Sequence, residues 1–260
     1  MNTNISFLPD RPAKPRNSGV TMMMDKGLSL NEAYNFIDSS EEFTDFVKFG
    51  FGTAIFAKQV KEKIEAYRKA NLEPYFGGTL FEAYIVRNKF DEFRSFVSKM
   101  GMETVEVSDG SMQIDHDEKL EYVNKLSKDF KVFSEVGSKV KGNEIPHDVW
   151  VSFMKKELEA GAWKVIAEAR ESGTIGIYNR DGSANIELVD DILENVKGEN
   201  VLWEAPIKNQ QVWFIDLLGA NVNLGNIAPG EVVALEALRL GLRGDTFFNY
   251  LPEEFQGYKL

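Results

Sequence analysis

Eight times along the chain a short apolar run closes on a charged or glycine-bearing tip, and a segment with helical spacing follows. The runs are Val20–Asp25, Asp45–Phe49, Glu73–Phe76, Glu103–Val107, Lys131–Glu135, Trp163–Ala167, Val201–Glu204 and Asn221–Leu224. Apolar runs this short read as buried strands. Their tips fall near residues 25, 48, 77, 109, 135, 168, 204 and 224, so each interval holds one strand and one helix. Eight such alternations predict an α/β protein, a single-domain (β/α)8 TIM barrel. A doubly wound open sheet is the alternative, but it more often carries a G-x-G-x-x-G turn after the first strand, and none follows Asp25.

The intervening segments support this reading. Ser29 and Glu32 form a capping box that starts a helix running to about Asp38. Lys58 to Ala70, with apolar residues at 60, 64 and 67 among charges, is expected to be a surface helix. Further helices are expected over 90–100, 117–130, 148–160, 186–196 and 209–218. Pro229 stands where a first helical position should be, with Val232, Val233, Leu235, Leu238 and Leu242 on one side. Gly77 to Glu82 reads as the loop ending the third strand. Residues 1–18 read as an extended lead-in, 19–250 as the barrel and 251–260 as a tail.

Composition narrows the chemistry. A net charge of −11 is the wrong sign for nucleic-acid binding, and an anionic ligand must be held by a local cluster of cations and N–H groups. The chain has no cysteine, which removes thiolate nucleophiles and cysteine-based zinc sites, and only two histidines, His116 and His147. Both lie in polar helix-flanking stretches and are expected at the surface. No apolar run reaches the roughly 20 residues that span a bilayer, and residues 1–19 lack the apolar core of a signal peptide. The expectation is a soluble, cytoplasmic protein with no membrane partner.

In a barrel the active site lies at the C-terminal ends of the strands. The residues there are Asp25, Lys26, Lys48, Glu82, Asp109, Glu135, Lys139, Glu168, Arg170 and Glu204. Carboxylates gathered in one mouth repel unless they share a cation or a proton, and oxygen-only ligands suit Mg²⁺. Each carboxylate reads equally well as the partner of a nearby Lys or Arg. Lys48 either pairs with a rim carboxylate or faces an anionic substrate. Lys139, in a polar loop, reads as a solvated surface lysine. Arg170 is the stronger anion candidate, because its planar fork matches phosphate or carboxylate. The glycines at 50–52 and 77–78 are tight turns or cradles offering N–H groups to phosphate. The run Met22-Met23-Met24 is core filling.

Taken together, the tips resemble the phosphosulfolactate synthase family. The resemblance is carried, in order, by Thr21-Met22-Met23-Met24-Asp25-Lys26-Gly27, Asp45-Phe46-Val47-Lys48-Phe49-Gly50-Phe51-Gly52-Thr53 and Gly77-Gly78-Thr79-Leu80-Phe81-Glu82. It continues through Val105-Glu106-Val107-Ser108-Asp109-Gly110, Glu135-Val136-Gly137-Ser138-Lys139 and Arg170-Glu171-Ser172-Gly173. Glu204-Ala205-Pro206, Gln210-Gln211, Asn223-Leu224-Gly225-Asn226-Ile227 and Leu242-Arg243-Gly244-Asp245-Thr246 complete it, over residues 19 to 247. Two departures are visible: Gly-Ser-Lys at 137–139 where the archaeal enzymes carry Gly-Lys-Lys, and a less basic Gly176-Ile177-Tyr178.

The resemblance implies a (β/α)8 barrel that adds sulfite to phosphoenolpyruvate with Mg²⁺, giving (2R)-phospho-3-sulfolactate on the way to coenzyme M. It implies Lys139 as the general acid, with Lys26, Lys48 and Arg170 binding the anions and Ser172, Gly173 and Arg243 of the matched motifs beside them. Asp25, Glu135, Glu168 and Glu204 are the metal candidates, chosen by their place at strand tips. The family also contains plant heat-stress proteins, so a non-catalytic, stress-related binding protein is the alternative. A Schiff-base aldolase using Lys48 or Lys139 would need no metal. A homo-oligomer is an option for a barrel of this size.

Overall fold

The computed structural model describes residue 3, residues 5–137 and residues 145–259. Its strands are β1 (Thr21–Asp25), β2 (Phe46–Phe49), β3 (Glu73–Phe76), β4 (Thr104–Val107), β5 (Lys131–Val136), β6 (Lys164–Ala167), β7 (Val201–Glu204) and β8 (Leu224–Ile227). They pair in parallel in the order β3-β2-β1-β8-β7-β6-β5-β4. The two ends of that order meet through side chains. Glu73 of β3 accepts from the Thr104 hydroxyl of β4 and from Lys131 Nζ at 2.6 Å. The N–H of Gly78, just after β3, donates to Glu106 of β4 at 2.5 Å. The result is a (β/α)8 barrel.

Helices α1 (Leu30–Ser40), α2 (Val60–Lys69), α3 (Gly78–Ile85), α4 (Phe90–Lys99), α5 (His116–Leu126), α6 (His147–Glu159), α7 (Ile186–Asn195), α8 (Lys208–Leu218) and α9 (Val232–Arg239) cover the sheet. The Ser29–Glu32 capping box is formed, with Glu32 reaching back to the Ser29 N–H at 2.7 Å. None of the described helices is long and apolar enough to cross a membrane.

Two stretches depart from the sequence reading. Gly77 to Glu82 is not a loop: α3 starts at Gly78 and buries Leu80, Phe81 and Ile85. Two glycines at its start hid a helix whose apolar residues keep helical spacing. The eighth strand runs over Leu224–Ile227, three residues later than Asn221–Leu224. Gly225 belongs in the strand because a Cβ there would come within 2.8 Å of Met22 Cε. Between Thr21↔Leu224 and Met23↔Ile227 the register shifts, and the extra residue is accommodated with Asn226 at φ 58°. Val233 and Leu242 of the expected apolar side are exposed.

The barrel interior is a small apolar cluster, Val20, Met22, Phe46, Tyr75, Phe133, Ile166 and Leu202, with Phe46 edge-on to Phe133 at 5.0 Å. A larger core lies between sheet and helices. The lead-in packs against the barrel through Arg11–Glu236 at 2.9 Å and Arg16–Asp45 at 2.8 Å.

Candidate active site

Side chains alternate along a strand, so the inward cluster fixes which residues form the next layer. Two positions beyond Met22, Phe46, Tyr75, Phe133, Ile166 and Leu202 stand Met24, Lys48, Gly77, Glu135, Glu168 and Glu204. All six line one cavity of about 470 Å³ at the C-terminal ends of the strands. An apolar plug thus carries a charged floor. Gly77 keeps that floor open, since a Cβ there would lie 2.9 Å from Lys48 Cε.

Lys48 is buried and serves three carboxylates, Glu106 at 2.9 Å, Glu135 at 3.2 Å and Glu204 at 3.4 Å. Burial alone would lower its ammonium, but those three charges hold it well above its ordinary value. Ser108 Oγ lies 2.8 Å from Glu135 and 2.6 Å from Glu82. Glu204 takes the Ala169 N–H at 3.0 Å. Burial pushes the Glu204 carboxyl up against the pull of Lys48, and Glu135 and Glu106 add to the rise, bringing it to about 7.

Glu135, Glu168 and Glu204 each present an oxygen within 4.8 Å of the other two. Around a cation with oxygens at about 2.1 Å, ligands on opposite sides lie about 4.2 Å apart, so a small inward movement would fit them to one ion. A second feature of the same cavity points the same way. Asn226, 5% exposed, donates Nδ2 to the Ala169 carbonyl at 3.1 Å, which fixes its amide orientation. Its Oδ1 is buried with no hydrogen-bond partner among the described residues. The bulge in β8 holds this side chain on the cavity wall. Three carboxylates and a spare amide oxygen form an oxygen-only donor set, the kind that hard divalent cations take.

The rim is built by loops. Phe51, in left-handed backbone between Gly50 and Gly52, lines one side. Arg170, Glu171 and Ser172 line another, in a segment tied down by the Ala169–Gly176 bridge and by the Tyr178 hydroxyl donating to the Glu204 carbonyl at 2.7 Å. Lys26, exposed and outside the cavity lining, pairs with Glu171 of that rim.

A buried network stands behind β5. Lys119 Nζ reaches the Glu135 carbonyl at 2.6 Å, Asp109 at 2.8 Å and Glu157 at 2.9 Å. His116 lies 3.1 Å from Glu157 and stacks on Phe153 at 3.7 Å, so it is packed between α5 and α6 and not a free surface residue. Burial works against the Glu157 carboxylate, but Lys119 and then His116 and Ser134 hold it below its usual range.

Of the residues chosen from the sequence, Lys48, Glu135, Glu168, Arg170, Ser172 and Glu204 line the cavity together. Lys48 is a carboxylate partner, the first of its two readings. Asp25 is corrected: it shares the parity of outward-facing Met23 and binds Lys63 at 2.7 Å and Tyr67 at 3.0 Å on α2. That same pairing makes Lys63 a buried residue of the expected surface helix. Gly173 lies outside the cavity lining, its carbonyl accepting from Gln210 at 2.8 Å. Arg243 also lies outside it, beyond α9 and beside Asp245. Lys139 falls outside the described residues. Glu106 and Asn226 were not singled out. The parity of Thr104, Glu106 and Ser108 marks a carboxylate aimed inward, whereas no periodic signal marks Asn226.

The family model for (2R)-phospho-3-sulfolactate synthase matches residues 9–245. A phosphosulfolactate synthase of Bacillus subtilis (strain 168) is 41% identical over 251 residues, covering 95% of this chain and 100% of that protein. A phosphosulfolactate synthase of Methanothermobacter thermautotrophicus is 40% identical over 252 residues, covering 95% and 98%. Among solved structures, 3-hexulose-6-phosphate synthase from Salmonella typhimurium covers 86% of this chain and 100% of its own with a TM-score of 0.58. At 16% identity that is a likeness of fold alone.

Proposed function

The chain belongs to the (2R)-phospho-3-sulfolactate synthase family, and on that premise we propose that it adds sulfite to phosphoenolpyruvate with Mg²⁺, forming (2R)-phospho-3-sulfolactate. The observation that carries this reading is the meeting of Glu135, Glu168 and Glu204 in one cavity that Lys48 and Arg170 also line. Both substrates are anions, and the local cations there stand against a net charge of −11. Identity of 40–41% over nearly the whole chain to proteins named for this activity supports a catalyst over a non-catalytic binding protein.

In the proposed reaction the sulfur lone pair of sulfite attacks C3 of phosphoenolpyruvate. The C2–C3 π electrons move onto the carboxylate as an enediolate, and a proton delivered to C2 completes the product. Glu135, Glu168 and Glu204 would hold Mg²⁺, which supplies Lewis-acid stabilisation of charge on the substrate oxygens. Arg170 offers a guanidinium fork to phosphate or carboxylate, with the Ser172 hydroxyl beside it. Lys26 sits where its ammonium can exchange Glu171 for a substrate anion. The family resemblance makes Lys139 the acid.

The test is incubation with phosphoenolpyruvate and sulfite in Mg²⁺ and in EDTA, product being read by mass spectrometry, with Lys139→Ala alongside. Mg²⁺-dependent phosphosulfolactate that disappears in Lys139→Ala is the expected result. No product from well-folded wild type at millimolar substrates would overturn the proposal.

A further inference from the structure

We infer that Lys48 is an internal stand-in for the divalent cation, and that cation binding displaces its ammonium and frees it to receive an anionic substrate. The inference rests on the cation-dependent reading above and adds an order of events to it.

Two of the three carboxylates that hold Lys48 are also two of the three that converge as cation ligands. Glu135 and Glu204 appear in both sets, at 3.2 Å and 3.4 Å from Nζ. An ammonium and a divalent cation cannot both hold these oxygens without close like-charge contact, because hydrated surroundings are lacking around a side chain 6% exposed. The two cations therefore compete for one place. Lys48 is built to yield it. Its third partner, Glu106 at 2.9 Å, is not in the converging set, so the ammonium keeps a neighbour while it gives up the other two. Its stem lies against Gly77, where the missing Cβ leaves space beside Cε. Lys48 also lines the cavity, so the direction away from Glu135 and Glu204 includes the space in which a substrate would sit.

The consequence is ordered assembly of the site. Without a divalent cation, Lys48 is spent on carboxylates and the cavity is a poor anion receptor. With the cation in place, the carboxylates are neutralised by another charge and Lys48 becomes available. One side chain thus couples the cation to the anion, and the coupling is reciprocal.

The experiment uses the full chain and Mn²⁺ alone as the probe. The protein is treated with an amine-acylating reagent in EDTA and in saturating Mn²⁺, and labelling at each lysine is read by peptide mass spectrometry. Lys63, fully buried on Asp25, is the internal reference. Lys48 is expected to label about tenfold faster with Mn²⁺, while Lys63 does not change. In parallel, Mn²⁺ binding is measured by electron paramagnetic resonance on wild type and Lys48→Met. Removing the competitor is expected to tighten binding about tenfold. The labelling arm needs no variant and stands even where Lys48→Met fails to fold. Mn²⁺ bound by wild type with Lys48 labelling unchanged would overturn the displacement and leave the cation reading intact. No Mn²⁺ bound by either protein would overturn both.

Discussion

Glu204→Gln, studied in EDTA, is expected to stabilise the fold at pH 8 by clearly more than at pH 5.5. The side chain is 2% exposed and faces Lys48, Glu135 and Glu106, with the Ala169 N–H on one oxygen. Burial raises its carboxyl against the pull of Lys48, and the neighbouring carboxylates add to the rise, from 4.5 to about 7. A carboxyl that holds its proton more tightly when folded loses stability as pH rises. The loss begins near the unfolded value of 4.5, grows to about 7 and is complete above it. At 1.36 kcal/mol per decade the full loss is about 3 kcal/mol, of which about 1 is already present at pH 5.5. The pull of Lys48, which stays charged over this range, is already contained in that value, so the expected pH-dependent gain for the amide is about 2 kcal/mol. Gln keeps the volume and the acceptor for Ala169. Urea denaturation at both pH values reads the effect. An equal change at both pH values, or a loss that deepens at pH 8, would show that Lys48 more than compensates the ionised carboxylate and would refute the reasoning.

Other perturbations follow from packing and from the network behind β5. Lys119→Met leaves Glu157 and Asp109 without their ammonium and is expected to cost about 3–5 kcal/mol by urea denaturation. Part of that should return in Lys119→Met/Glu157→Met, which removes the buried charge as well. Phe133→Ala empties the centre of the interior cluster, where Phe46, Tyr75 and Trp163 all touch the ring, and is expected to cost about 3–5 kcal/mol. A loss under about 1 kcal/mol would mean that the plug refills from its neighbours.

Much of this architecture was legible in the sequence because short buried strands declare themselves by being apolar throughout. The tips that carry Glu135, Glu168 and Glu204 could be placed to the residue, and these carboxylates do meet in the mouth. A tip position, however, says where a residue ends up along the barrel and not which way its side chain points. Asp25 illustrates the gap: it ends β1 yet faces α2, one residue out of step with inward Met24. Strand parity, taken from the inward cluster, separates Asp25 from Lys48 and would have added Glu106. The eighth strand was misplaced because Gly225 and Asn226 look like loop residues. In the fold, glycine is required by Met22, and Asn226 occupies left-handed backbone in a bulge. Both causes are tertiary, and neither leaves a periodic trace. Lys63, on the expected surface helix, is buried for the same kind of reason, since its partner Asp25 lies on a strand distant in sequence.

The central claim, that the mouth carboxylates hold a cation needed to join sulfite to phosphoenolpyruvate, is tested most directly by ³¹P NMR of the reaction. Wild type and Glu168→Gln are each mixed with phosphoenolpyruvate and sulfite, in Mg²⁺ and in EDTA. The account predicts that the phosphoenolpyruvate resonance gives way to a new phosphomonoester only in wild type with both sulfite and Mg²⁺, and that Glu168→Gln is slowed at least about a hundredfold. Conversion that runs equally well in EDTA, or undiminished in Glu168→Gln, would contradict it.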